Sequence, residues 1–104
     1  MASNERKNAR VASGRVNTDG TIEATDGAFT AAAVAPVGII DITLVDPTPP
    51  DRRVVTHSSS SPVYFSQEDP AFATDANVRL YLRNTVTTAI DANGPISFKI
   101  ERVS

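Results

Sequence analysis

The chain contains no cysteine and no tryptophan. Without cysteine there is no disulfide framework, no thiolate metal site and no cysteine nucleophile. Small stable secreted domains more often carry disulfides, so the absence is compatible with folding in a reducing cytoplasm. Aromatic residues make up only 6% of the 104 positions, so a core has to be built from Val, Ile, Leu and Ala. His57 is the single histidine, leaving one imidazole for any acid–base or nucleophilic chemistry. No apolar run approaches the roughly 18–20 residues of a membrane helix. The longest, AFTAAAVAPVGII at 28–40, is interrupted by Thr30, Pro36 and Gly38. The opening MASNERKNAR lacks the apolar segment of a signal peptide. Met1 followed by the small Ala2 sets the expectation of a whole gene product rather than an excised domain.

What is present is a chain of single-domain length. Apolar residues are 40% and charged residues 21%, the balance of a globular protein rather than a disordered one. A chain this short buries only about 60–70% of its unfolded surface, which makes self-association an expected source of further burial. The net charge is −2 but is unevenly spread. In residues 1–15, Arg6, Lys7, Arg10 and Arg15 stand against Glu5 alone, a balance of +3, while the remaining six basic and eleven acidic residues give −5. A basic segment on an acidic body is a partner-binding pattern, and residues 1–12 read as a flexible basic arm ahead of a domain at 13–104.

The dominant hydrophobic period is two. Ile40, Ile42 and Leu44 alternate with Asp41, Thr43 and Val45. Val78, Leu80 and Leu82 alternate with Arg79, Tyr81 and Arg83, and Ile96, Phe98 and Ile100 with Ser97, Lys99 and Glu101. Such alternation of β-branched and aromatic residues marks half-buried strands. Further strands are expected at ARVASGRV, GTIEA, AFTAAAV, RRVVT and PVYFS. About eight short strands separated by turn signals indicate an all-β antiparallel β-sandwich. The segment VDPTPPDRR is too rich in proline for a central strand and reads as a stiff exposed connection. THSSSSP reads as a flexible polar tip, and Asp69-Pro70 as the start of a single helical turn.

No motif carries recognisable chemistry. Asp19, Glu23 and Asp26 lack the spacing of a calcium loop. A strand of five or six residues between the two Asp-Gly pairs separates them by roughly 17–20 Å, too far to share one ion. Asp-Gly supplies the positive φ that tight turns need, and both pairs read as corners of a β-meander. The other aspartates also cluster beside Gly, Pro or Asn, where carboxylates serve turns rather than a glycosidase pair. His57 beside Ser58–Ser61 is adjacency in sequence, not triad geometry. No aromatic–basic nucleic-acid motif accompanies Arg79 and Arg83, which read as the solvent- or subunit-facing side of a strand. The reading is therefore a protein that is not an enzyme, with no cofactor, no metal, no nucleic-acid partner and no membrane partner.

Three segments in order, GRVNTDGTI, PVGIIDITL and DANGPISFKIERV, resemble the small trimeric jelly-roll heads found in complement/tumour-necrosis-factor-like domains and in beads of bacteriophage tail fibres and capsids. The likeness extends over residues 9–103. It departs from those heads at Ile40, where an aromatic is usual, and in having no collagen-like stalk. The resemblance implies a jelly-roll-like sandwich and a homotrimer. Without a stalk, cysteine or active site, the chain looks like a phage capsid decoration (cement) protein, made in the host cytoplasm and located on the virion surface. Its partners would be the major capsid protein and copies of itself. By that analogy Arg6, Lys7, Arg10 and Arg15 form the basic contact with an acidic shell. The alternative expectation is a receptor- or glycan-binding fibre tip using loops 46–53 and 57–62, with Tyr64 and Tyr81 as stacking candidates.

Overall fold

A computed structural model describes residues 8–34, 37–90 and 94–103. Eight strands form: β1 (Asn8–Asn17), β2 (Ile22–Thr25), β3 (Phe29–Val34), β4 (Ile39–Leu44), β5 (Arg53–Ser59), β6 (Tyr64–Glu68), β7 (Asn77–Asn84) and β8 (Pro95–Val103). They divide into two antiparallel four-stranded sheets packed face to face, β2-β1-β8-β5 and β3-β4-β7-β6. The hairpin pairs β1–β2 and β3–β4 each lie within one sheet. The long-range pairs β1–β8 and β4–β7 form the middle of their sheets. Sequence alternation dictates this packing. Ile40, Ile42 and Leu44 of β4 and Val78, Leu80 and Leu82 of β7 are buried, facing Ile96, Phe98 and Ile100 of β8. Burying each such side chain is worth about 1.5–3 kcal/mol.

The two sheets are keyed together at Gly14. A Cβ added there would sit 2.4 Å from the Ala24 carbonyl oxygen and 2.6 Å from the Phe29 ring. Phe29 reaches across from the second sheet, fills the space above Gly14 and meets Phe98 edge-on, with centroids 4.8 Å apart and planes at 76°.

The turns behave partly as their sequences indicate. Asp19-Gly20 closes the β1–β2 hairpin: Gly20 takes φ +97°, its N–H donates to the Asn17 carbonyl at 2.9 Å, and the Asp19 carboxylate accepts from the Thr21 N–H at 2.9 Å. Asp26-Gly27, with Gly27 at φ +82°, is instead the corner that carries the chain from the first sheet to the second. The Asp26 carboxylate fixes that corner by accepting from the Ser13 and Ala28 N–H groups at 2.9 and 3.0 Å. A single 3₁₀ turn, Pro70–Phe72, is capped by Asp69 through the Ala71 N–H, and another covers Pro50–Arg52.

Two boundaries differ from expectation. The arm expected over residues 1–12 gives way to strand at Asn8, because pairing with β8 buries Val11 and Ala12; residues 1–7 lie outside the described residues. The serine-rich tip is shorter than THSSSSP, because Thr56–Ser59 continue β5 in register with Ile96–Lys99 of β8.

Replacing Gly14 with Ala tests the keying. In an unobstructed strand Gly→Ala gains roughly 0.5–1 kcal/mol. Here the methyl meets a carbonyl and a ring, and overpacking of this kind costs about 1–3 kcal/mol. Urea denaturation of Gly14→Ala is expected to show a lowered midpoint; an unchanged or raised midpoint contradicts the packing.

Candidate interaction face

The outward side of the second sheet collects the residues that alternate with its core. In register across β4, β7 and β6, Asp41 opposes Arg79, Tyr81 lies between Ile39 and Gln67, and Arg83 opposes Phe65. Opposed residues share a face, so one surface carries two guanidinium groups among aromatic rings. Arg79 grips Asp41 with both prongs, Nε to Oδ1 at 2.6 Å and Nη2 to Oδ2 at 2.9 Å. Its Cζ lies 3.7 Å from the centroid of Phe72, delivered by the 3₁₀ turn before β7. The Tyr81 hydroxyl donates to the carboxylate of Asp69, the residue that caps the same turn. Arg83 lies over Tyr81 at 5.4 Å, donates from Nε to Gln67 Oε1 at 2.7 Å and from Nη1 to the Thr88 carbonyl at 2.9 Å.

Each contact is modest alone: a cation–π pair at an exposed site is worth about 0.5–1 kcal/mol. Their joint effect is to hold long side chains in one geometry. The hydrogen bond to Asp41 raises the Arg79 pKa, and burial opposes it. The hydrogen bond to Asp69 holds the Tyr81 phenol above its ordinary value near 10, with burial adding to the shift. The charges on the face are unequal in compensation. Arg79 has Asp41, whereas among the described residues Arg83 has only neutral acceptors. Thr88, the carbonyl partner of Arg83, adopts φ +60°, an unfavourable backbone for a β-branched residue. Phe65 and Phe72 leave substantial ring surface exposed beside these groups, 38% and 51%.

The residues singled out for partner contact in the sequence fall elsewhere. Arg6 and Lys7 lie outside the described residues. Arg10 and Arg15 occupy β1, in register with Glu101 and Ser97 on the outward side of the first sheet. Arg15 is engaged by Glu23 at 3.1 Å and by the Ser60 hydroxyl at 3.3 Å. The structure thus brings Arg10 and Arg15 to one sheet face, opposite the one bearing Arg79 and Arg83. Arg79 and Arg83 do alternate outward as expected. Phe72, Asp69, Phe65 and Asp41 were not readable as their partners, because register and the position of the 3₁₀ turn are not local properties of the sequence.

The remaining candidates take structural positions. His57 Nδ1 lies 2.6 Å from Ser66 Oγ, linking β5 to β6 across the two sheets, rather than meeting Ser58–Ser61. Among the described residues no carboxylate bonds to the imidazole to complete a triad. Also among the described residues, no group of three His, Cys, Asp or Glu is arranged to hold a metal ion, and no helix is long and apolar enough to cross a membrane. Comparison with known protein families, curated proteins and solved structures finds no match.

The Tyr81–Asp69 contact has a defined pH signature. A phenol whose folded pKa is raised contributes stability that is fully present below its unfolded value and is lost as pH rises through the folded value. A tyrosinate absorbance titration is expected to show one of the two tyrosines ionising above the ordinary phenol range. Asp69→Asn is expected to return that titration toward the ordinary range, and an unchanged curve contradicts the assignment.

Proposed function

We propose that the protein is a structural interaction protein, a decoration (cement) protein of a bacteriophage head, which assembles as a homotrimer and binds the major capsid protein. The observation that carries the interaction role is the aromatic–guanidinium face of β4, β7 and β6. Arg and aromatic residues are enriched in protein interfaces and dominate their energetics. Here Arg79, Tyr81 and Arg83 are already held by Asp41, Asp69 and Gln67, so less side-chain freedom is lost on docking. Arg83, bonded among the described residues only to neutral acceptors, and the exposed ring of Phe65 opposite it supply a polar contact and an apolar one together. The assignment to a phage head is supported by the sequence resemblance to trimeric jelly-roll heads.

The glycan-binding alternative draws no support from the tyrosines. Tyr64 packs against the core, and Tyr81 lies beneath Arg83 with its hydroxyl committed to Asp69.

The proposal is tested by sedimentation and by decoration of phage heads stripped of their outer protein. The wild-type chain is expected to sediment with the mass of three chains and to co-sediment with the heads. Phe65→Ala with Arg83→Ala is expected to weaken head binding by at least about tenfold, the loss corresponding to about 1.4 kcal/mol. Deletion of residues 2–7 leaves β1 whole and is expected to preserve the melting temperature while weakening head binding. A monomer overturns the trimer, full decoration by the double variant overturns the face, and full decoration by the deletion variant overturns the arm. Binding to a glycan array without binding to heads replaces the proposal with the fibre-tip reading.

A further inference from the structure

At one end of the sandwich, where the proline-rich β4–β5 connection meets the approach to β7, a cation is buried. Arg53, the first residue of β5, is only 7% exposed. Its Nη1 donates to the carbonyl oxygens of Thr48 at 2.7 Å, Thr74 at 2.8 Å and Asp75 at 3.3 Å, and its Nη2 to that of Asn77 at 3.0 Å. Four main-chain oxygens, one from the β4–β5 connection and three from the end of the β6–β7 connection and the first residue of β7, therefore converge on one guanidinium. An Nη group has two hydrogens, so the three oxygens around Nη1 share them, the longest contact being the shared one.

The cage is held by bonds that do not involve Arg53. Thr48 N–H donates to the Asp75 carbonyl at 2.7 Å, Thr74 N–H to the Asn77 carbonyl at 3.1 Å, and Asn77 N–H to the Thr74 hydroxyl at 3.1 Å. Arg102, opposite Arg53 in β8, ties the other loop by donating to Asp46 Oδ2 at 2.9 Å and to the Thr48 hydroxyl at 3.2 Å. Burial lowers the Arg53 pKa, and the fields of Glu68 and Asp75 offset only part of that cost, so the converging oxygens rather than the net field are what hold the cation. The spacing also discriminates among cations. Oxygens at 2.7–3.3 Å suit N–H donors, whereas calcium needs six to eight oxygens at about 2.3–2.6 Å.

We propose that this cage is a cation-binding site of guanidinium class, permanently filled by the chain's own Arg53, and that emptying it creates a pocket that takes a free alkylguanidinium from solution. The inference is independent of the phage-head reading. Arg53 keeps the two loops together as a structural ion does, but the ion is tethered and is not exchanged with solvent.

The test is chemical rescue. Arg53→Ala deletes the guanidinium and the two stem carbons that carry it, and N-ethylguanidinium has the size of the missing part. The variant is expected to melt roughly 10 °C or more below wild type. About 10 mM N-ethylguanidinium is expected to restore roughly half of that loss by mass action while leaving wild type unchanged. Calcium chloride and ethylammonium at matched ionic strength are expected to restore much less. If Arg53→Ala does not fold alone, N-ethylguanidinium is expected to recover its β-sheet circular dichroism. Arg53→Met, which keeps bulk without charge, is expected to melt well below wild type. The proposal is overturned if N-ethylguanidinium fails to act on Arg53→Ala or acts equally on wild type. It is equally overturned if calcium rescues as well, or if Arg53→Met melts with wild type.

Discussion

The arrangement of the sandwich depends on one close approach, the ring of Phe29 over the bare backbone of Gly14. Phe29 opens the second sheet and Gly14 lies mid-way along the first, paired with Thr25 on one side and Phe98 on the other. Because the ring fits only where a side chain is missing, it fixes how far one sheet slides over the other. A one-residue slip of a strand turns its whole buried set outward. Within that packed frame, the burial of Val78, Leu80 and Leu82 turns Arg79, Tyr81 and Arg83 outward together.

The two outer faces differ in character. The first sheet presents Arg15, Ser97, Lys99, Glu101 and Thr56, short or locally neutralised groups with no ring among them. The second presents rings and guanidinium groups locked to one another. Rigid aromatic and arginine side chains are the usual anchors of a protein interface, and the second sheet holds those anchors in place before any partner arrives. The basic residues near the start of the chain belong to the other side of the molecule, so charge counting along the sequence located a face that its neighbours have partly neutralised.

Much of the fold was legible because its information is local and periodic. The alternations at 40–44, 78–82 and 96–100 each marked the buried side of a strand, and Asp19-Gly20 marked a hairpin. The second Asp-Gly pair was legible as a corner but not as a crossing between sheets, since the same φ serves either path. Phe72 beneath Arg79 was not legible at all: it depends on a 3₁₀ turn folding back onto a strand that follows it. Arg53 was hidden for a similar reason. Nothing near it in sequence distinguishes it from Arg52, which is exposed; only the convergence of loops at 48 and 74–77 sets it apart. The serine tip was misjudged because serine in isolation favours turns, whereas pairing with β8 holds Ser58 and Ser59 in a strand.

The pairing of β1 with β8 also governs how the chain reaches this structure. Val16 is bonded into the sheet beside Ile96, and nearly everything between them is the rest of the sandwich. The β1–β2 and β3–β4 hairpins can close from local contacts, but the centre of the first sheet cannot form until the strand at 95–103 is available. Loop closure over such a distance slows folding and prolongs the exposure of unpaired strands. During synthesis, β1 and β5 are left with open edges until β8 arrives and is inserted between them.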